Sequence, residues 1–350
     1  ITVFTTRPDT LFGCSFFLLA PEYKGLMELV EGTEYEAAVR EVVEGAAKVS
    51  AVERAQGDRE KHGAFTGRYM VNPVNGEKVP VWVADYIVSG SWSKKAFKEA
   101  KIFGDARCVA SSEDENFSYV PDVRALQLSD DADYVYICQN ETIYGTVYHE
   151  LPNTNGKPLV ADVSSCFLSE PMDVSKYGLI YGGVQKNMGP AGVTIVIIRD
   201  DLVSEPLPGT PTMLRYDTHV DAKSLYNTPP AYGIYMCGKV FQWLKAQGGL
   251  EAMKERNVEK AQLLYDFLDQ SALFKGTARK EDRSIMNVPF VTGSDELDAK
   301  FVAEAKKVGI ESIKGHRSVG GMRASIYNAM PAEGVEKLVE FMKQFEADNA

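Results

Sequence analysis

Three short stretches carry residue types that could do chemistry together. Leu159-Val-Ala-Asp162-Val-Ser-Ser165 ends an apolar, strand-like run on a carboxylate and two hydroxyls. Burying that carboxylate is costly unless it meets a cation or a strong donor, and a protonated pyridine nitrogen is such a partner. Tyr181-Gly-Gly-Val-Gln185-Lys186-Asn187-Met-Gly-Pro-Ala-Gly192 sets a lone lysine in a glycine-rich turn between two apolar runs. Glycine lets backbone approach a ligand closely, and a desolvated lysine holds its proton less tightly and can form a Schiff base. Gly90-Ser-Trp92-Ser places an aromatic ring beside a tight turn, able to stack on a planar group. Each feature has a plainer reading: Asp162 as a turn or cap former, Lys186 as a solvated charge, Trp92 as core. Together, acid, lysine and aromatic compose a pyridoxal phosphate site, with Asp162 on the ring nitrogen, Lys186 as the imine lysine and Trp92 over the ring.

These residues need a scaffold, and the hydrophobic pattern describes one. Tyr134–Gln139, Leu159–Val163, Leu179–Gly183 and Thr194–Ile198 are short apolar runs separated by Gly, Pro, Asn and Ser, as in an α/β layer with a buried sheet. The longest apolar run, Gly192–Ile198, is far short of a membrane span and reads as a buried strand. Nearer the start, Tyr35–Val52 has the period of an amphipathic helix, and Asn75-Gly76 marks a hairpin turn. Beyond residue 236 the pattern predicts a smaller α+β unit. It comprises a long helical stretch over Phe241–Ala272, a strand at Ser284–Val291, a helix at Asp295–Val308, a further pair of strands, and a last helix with Pro331 in its first turn.

A chain of 350 residues has room for two domains or three small ones. With 45% hydrophobic and 25% charged residues it is neither disordered, collagen-like nor a disulfide scaffold. A net charge of −11 argues against a sequence-independent nucleic-acid binder, which needs a basic face. The five cysteines (Cys14, Cys108, Cys138, Cys166, Cys237) and four histidines (His62, His149, His219, His316) are scattered without metal-ligand spacing. They predict no metal site, a reducing cytoplasmic setting, and cysteines used as small core residues. The chain opens on Ile1, already in strand-like sequence, which suggests that the true start is missing.

From about Ala84 onward the chain resembles the phosphoserine aminotransferases, class V members of the fold-type-I pyridoxal phosphate enzymes. The resemblance runs through Gly-Ser-Trp-Ser-Lys-Lys-Ala (90–96), Asn-Phe-Ser-Tyr-Val-Pro (116–121), Gln-Asn-Glu-Thr-Ile-Tyr-Gly (139–145) and Ala-Asp-Val-Ser-Ser (161–165). It continues through Gly-Val-Gln-Lys-Asn-Met-Gly-Pro-Ala-Gly (183–192), Leu-Tyr-Asn-Thr-Pro-Pro (225–230) and Gly-His-Arg-Ser-Val-Gly-Gly-Met-Arg-Ala-Ser (315–325). It implies that Lys186 carries the cofactor imine and moves the proton, that Asp162 pairs with the pyridine nitrogen, and that Trp92 stacks. Thr142 and Gln185 would bond the ring oxygen or the phosphate side. Asn227 and Thr228 would reach the cofactor phosphate of a neighbouring subunit, implying a homodimer. His316, Arg317 and Arg323 would grip the phosphate and carboxylate of the substrate, which suits the forked guanidinium. The implied reaction is transamination of O-phospho-L-serine with 2-oxoglutarate, giving glutamate, in serine biosynthesis.

Residues 1–88 resemble instead the editing domain of leucyl-tRNA synthetase. The matching stretches are Thr5-Thr6-Arg7-Pro8-Asp9-Thr10-Leu-Phe-Gly-Cys and the run from Thr66 to Tyr86. By that resemblance the threonine-rich strand would line an ester-hydrolysing pocket, with Thr10 discriminating by size. Neither resemblance is complete: a Gly-Thr-Gly segment and a His-Asp-x-Arg-Asp motif are missing from the first, and a cofactor phosphate cup from the second. The expected organisation is therefore a chimera: a partial editing-like segment over 1–88, a truncated cofactor-binding large domain over 89–235 and a small domain over 236–350. Its expected activity is that of a weakened aminotransferase. The alternatives are an editing hydrolase acting on tRNA, or a fragment without catalysis.

Overall fold

The computed structural model describes residues 26–47, 82–203, 206 and 210–349. The hairpin expected at Asn75-Gly76 and the editing-like residues Thr5, Thr6, Arg7, Asp9 and Thr10 lie outside them. Helices α1 (Leu26–Val30) and α2 (Glu36–Ala47) form a small unit of their own, joined by Leu26, Val30 and Val39. The turn between them is closed by the Gly32 N–H donating to the Glu36 carboxylate at 2.9 Å.

The larger unit is built on a mixed sheet, six-stranded among the described residues. Its strands are β1 (Trp82–Val88), β2 (Gly104–Ser111), β3 (Tyr134–Cys138), β6 (Leu159–Asp162), β7 (Leu179–Gly183) and β8 (Thr194–Ile198), in the order β2-β1-β3-β6-β7-β8. Every neighbouring pair is parallel except β7 with β8. Val135 and Ile137 of β3 and Ala161 of β6 are fully buried, as strands covered on both faces require. Helix α3 (Ser91–Phe103) connects β1 to β2. The short strands β4 (Asn140–Glu141) and β5 (Thr146–Val147) form a ribbon just after β3.

Two expectations change here. A boundary after residue 88 would cut through the sheet, because β1 is hydrogen-bonded to β2 on one side and β3 on the other. Trp82–Val88 therefore belongs to the larger unit. The run ending at Ile198 is a strand but not a buried one: β8 lies at the end of the sheet, and Val196 and Ile197 are each 40% exposed. Apolarity marked the strand correctly, yet the number of sheet neighbours decides its burial.

After the turn of α4 (Tyr216–Asp221) come helices α5 (Ala231–Ala246) and α6 (Gly249–Gln270). These replace the single stretch expected over Phe241–Ala272. Gly248 and Gly249 both have positive φ, +100° and +80°, a backbone region that glycine enters without strain and that ends the helical path. The C-terminal sheet has the order β11-β10-β9, from β9 (Lys275–Gly276), β10 (Asn287–Val291) and β11 (Met322–Ser325). Only β11 and a single bridge, Lys314 to Met322, stand where a pair of strands was expected. Helices α7 (Asp295–Lys307) and α8 (Ala332–Asn349) complete this part, with Pro331 just ahead of α8 rather than within its first turn. Its core centres on Phe274, Phe290, Phe301 and Phe345, whose rings meet mostly edge to face at 5.1–6.0 Å. Cys138, Cys166 and Cys237 are buried free thiols, as core cysteines should be, but Cys108 is exposed. Among the described residues no helix is long and apolar enough to cross a membrane.

Candidate active site

Lys186 sits in the turn that reverses the chain between β7 and β8. The Met188 and Gly189 N–H groups both donate to the Val184 carbonyl at 2.9 Å, which makes the turn tight. Close approach demands glycine at 182 and 189, whereas Gly192 is called for by its φ of +118°. A Cβ on Gly182 would stand 3.0 Å from the Phe167 ring, and one on Gly189 would stand 2.8 Å from the Cys237 sulfur. Asn187 anchors the turn from beneath, donating to the Phe167 carbonyl and accepting the Asn328 N–H, both at 3.0 Å. So held, the Lys186 ammonium donates to Thr142 Oγ1 at 2.7 Å and lies 5.8 Å from the centre of the Trp92 ring.

Burial lowers the pKa of Lys186 below that of an ordinary lysine. Cys138 and Asp162 pull the other way, while the Arg323 charge lowers it further. Asp162 ends β6, in register with Cys138 of β3 and Tyr181 of β7. One carboxylate oxygen accepts the Ser164 N–H at 2.8 Å, so Asp162 does form a turn. The same turn serves the site, because Ser164 Oγ accepts the Gly183 N–H at 3.1 Å and ties the end of β6 to the lysine turn.

Arg323, on β11, crosses to the same place. Its Nη1 donates to the Thr142 backbone carbonyl at 3.3 Å, and its Nε is buried with no partner. His316 Nδ1 pairs with Ser318 Oγ at 2.7 Å. Its pKa is lowered by burial and by the nearby charges of Arg323, Arg317 and Lys95. Lys95 itself lies 4.5 Å over the Trp92 ring centre.

The structure thus brings together Trp92, Thr142, Asp162, Lys186, His316 and Arg323, with Arg317 exposed beside His316. Gln185, Asn227 and Thr228 are exposed, and among the described residues none is hydrogen-bonded to this group; Asn227 Nδ2 donates at 3.3 Å to the carbonyl of Thr228. Two residues had no role assigned from sequence. Lys95 stands three residues after Trp92, the spacing that puts two side chains on one helical face, so its signal was available. Glu141 directly precedes Thr142, but nothing in that stretch records its partners at the start of α3, which meet it only in the folded chain. A carboxylate, a lysine that yields its proton readily, a flat aromatic face and converging cations suit a planar, anionic carbonyl compound. They suit equally a substrate with more than one negative charge.

Residues 83–338 match the aminotransferase class-V family. The chain belongs to that family. The match takes in every residue of the assembled group. The phosphoserine aminotransferase of Bacillus cereus is 53% identical over 266 residues, spanning 76% of this chain and 74% of its own length. Among solved structures, the phosphoserine aminotransferase of Bacillus circulans subsp. alkalophilus superposes with a TM-score of 0.76 at 48% identity, covering 77% of this chain and 75% of that one. The pyridoxal phosphate-bound phosphoserine aminotransferase of Trichomonas vaginalis superposes with a TM-score of 0.71 at 40% identity, covering 75% of each chain. Residues 1–94 match a second family, the editing domain of leucyl-tRNA synthetase. The two matched spans overlap on the strand β1 and the start of α3.

Proposed function

We propose that this chain is a pyridoxal phosphate-dependent phosphoserine aminotransferase, exchanging an amino group between O-phospho-L-serine and 2-oxoglutarate. The observation that carries the reading is Lys186: half-buried, held by Thr142, set beside an aromatic face and crowded by Arg323. The residues present fit the cofactor by the chemistry of their donors. Asp162 offers a carboxylate at the sheet end for a ring N–H, Trp92 an open face for the ring, and Thr142 a hydroxyl beside the lysine. The unpartnered Nε of Arg323 marks a buried donor available to an anion.

When bound, the cofactor supplies an electron sink for breaking a bond at the substrate α-carbon. The protein does the rest. Lys186, with its lowered pKa, has a larger neutral fraction near neutral pH than a free lysine, and a neutral amine can attack a carbonyl and carry a proton. Asp162 holds positive charge on the ring nitrogen. Trp92 shields the ring from water, and Arg323, Arg317, His316 and Lys95 orient the substrate through its carboxylate and phosphate.

A homodimer belongs to this reading. Exposed apolar side chains stand on β8, on the segment leading into α5 and on the first turns of α5 itself, with Leu225, Tyr232 and Tyr235 more than half exposed. A surface of that kind is expected at a protein–protein contact. Asn227 and Thr228 lie in that segment, where a neighbouring subunit's cofactor could meet them. The editing match favours a second ancestry for the N-terminal part, but β1, which lies in both matched spans, is built into the aminotransferase sheet. We expect no deacylation of mischarged leucine tRNA.

The decisive experiment adds pyridoxal phosphate to the protein and to Lys186→Ala and records the visible spectrum. A red-shifted band in the wild type that the variant lacks is expected. Identical spectra would reject the cofactor reading. Transfer of the amino group from phosphoserine to 2-oxoglutarate, followed as glutamate, then tests the substrate assignment.

A further inference from the structure

We infer that Glu141 is a positioning residue of the cofactor site: its carboxylate clamps the first turn of the Trp92 helix onto the loop that carries Thr142, and thereby sets the Trp92 ring relative to Lys186. Glu141 is 1% exposed. Its two oxygens accept the Ser93 N–H at 2.8 Å, the Ser93 hydroxyl at 2.7 Å and the Trp92 N–H at 3.2 Å. These are the free N–H groups of a helix start, where a negative charge is favoured by both hydrogen bonding and the helix dipole.

The residue before the helix is Gly90, which has no side chain to cap those groups. That glycine is also what admits the carboxylate: a Cβ there would lie 2.3 Å from the Glu141 carboxyl carbon. Gly90 and Glu141 are therefore one device. A remote side chain does the capping, and the local residue leaves room for it.

The other end of the device is the active lysine. Thr142 follows Glu141 directly; its hydroxyl accepts from Lys186 at 2.7 Å and its carbonyl from Arg323 at 3.3 Å. Groups from α3, the lysine turn and β11 thus converge on one dipeptide. Burial raises the pKa of Glu141, and the bonds from Ser93 and Trp92 oppose that rise. A buried carboxyl used only to fill space would be replaced by an apolar group at no loss; this one is engaged through both oxygens, by Ser93 twice and by the backbone of Trp92 once.

The proposal rests on the cofactor reading above, and its test separates the two. In a Trp82→Phe/Trp243→Phe background Trp92 is the sole tryptophan. Its emission and acrylamide quenching are read first in ligand-free protein, then during titration with pyridoxal phosphate. Glu141→Ala should red-shift the ligand-free emission, raise quenching, and weaken cofactor binding by roughly tenfold or more. Gly90→Ala, which keeps the glutamate but displaces it, should act in the same direction. Glu141→Gln retains an acceptor and should stay within about threefold of the parent. Glu141→Asp withdraws the carboxylate by one methylene and decides the matter if the alanine variants do not fold. Parental emission and affinity in Glu141→Asp, or in folded Glu141→Ala and Gly90→Ala, would overturn the proposal. A parent that never binds pyridoxal phosphate would defeat the cofactor reading alone, leaving the ligand-free emission as the test of Glu141.

Discussion

At the residue scale, the chemistry of the site depends on how tightly Lys186 keeps its proton. Burial and the Arg323 charge both disfavour the ammonium, whereas the Asp162 charge favours it. Replacing Arg323 with Gln should therefore move the pH at which Lys186 becomes neutral upward, and Asp162→Asn should move it downward. Each shift is read from the pH dependence of the rate at which the protein captures pyridoxal phosphate; midpoints that fail to separate in this order would contradict the assignment. Trp92 belongs to the same scale. The residue is 39% exposed and belongs to no buried core cluster, so Trp92→Ala should weaken cofactor binding by up to about tenfold while leaving thermal stability nearly unchanged. Sequence alone could nominate Asp162, Lys186 and Trp92 because their residue types are unusual for their local settings. It could not reveal Glu141, whose partners stand about fifty positions away along the chain.

At the scale of elements, the loop after β11 links the small core to the lysine turn. Lys260 of α6 is buried and donates to the carbonyls of Ile326, Tyr327 and Met330 at 3.0–3.1 Å. Asn328, in the same loop, bonds through its side chain to Asn257 and the Leu168 carbonyl, and through its N–H to Asn187 beside Lys186. Lys260→Met strands three carbonyls and should lower stability by about 2–3 kcal/mol in urea unfolding. Burial brings the Lys260 pKa down to about 8 in the folded chain. An unfolded lysine titrates near 10.4, so between these values the unfolded chain binds more protons and the wild type gains stability as pH rises. The difference in stability between wild type and Lys260→Met should grow over that window; a flat difference would argue against it. The break between α5 and α6 shows the limit of periodicity. Apolar residues flank the break on both sides, but Gln247, Gly248 and Gly249 interrupt the spacing, and the positive φ of the two successive glycines separates the helices.

At the scale of the molecule, the apolar surface on β8 and α5 and the exposed Asn227 and Thr228 point to assembly. We expect the protein to sediment as a dimer, and Tyr232→Asp, at a position 72% exposed in the single chain, to shift it toward monomer and weaken cofactor binding together. A monomeric wild type with full cofactor affinity would remove the basis for that assignment. Local pattern was enough to read the α/β class and the strand runs from Tyr134 to Ile198, and to nominate a lysine, a carboxylate and a tryptophan as candidates, because apolar period and residue chemistry are properties of short segments. Which strand is an edge, where β1 belongs, and how Glu141, Thr142 and Arg323 converge on Lys186 became visible only in the folded chain. Those features depend on neighbours that meet when distant segments pack, and no local pattern records them.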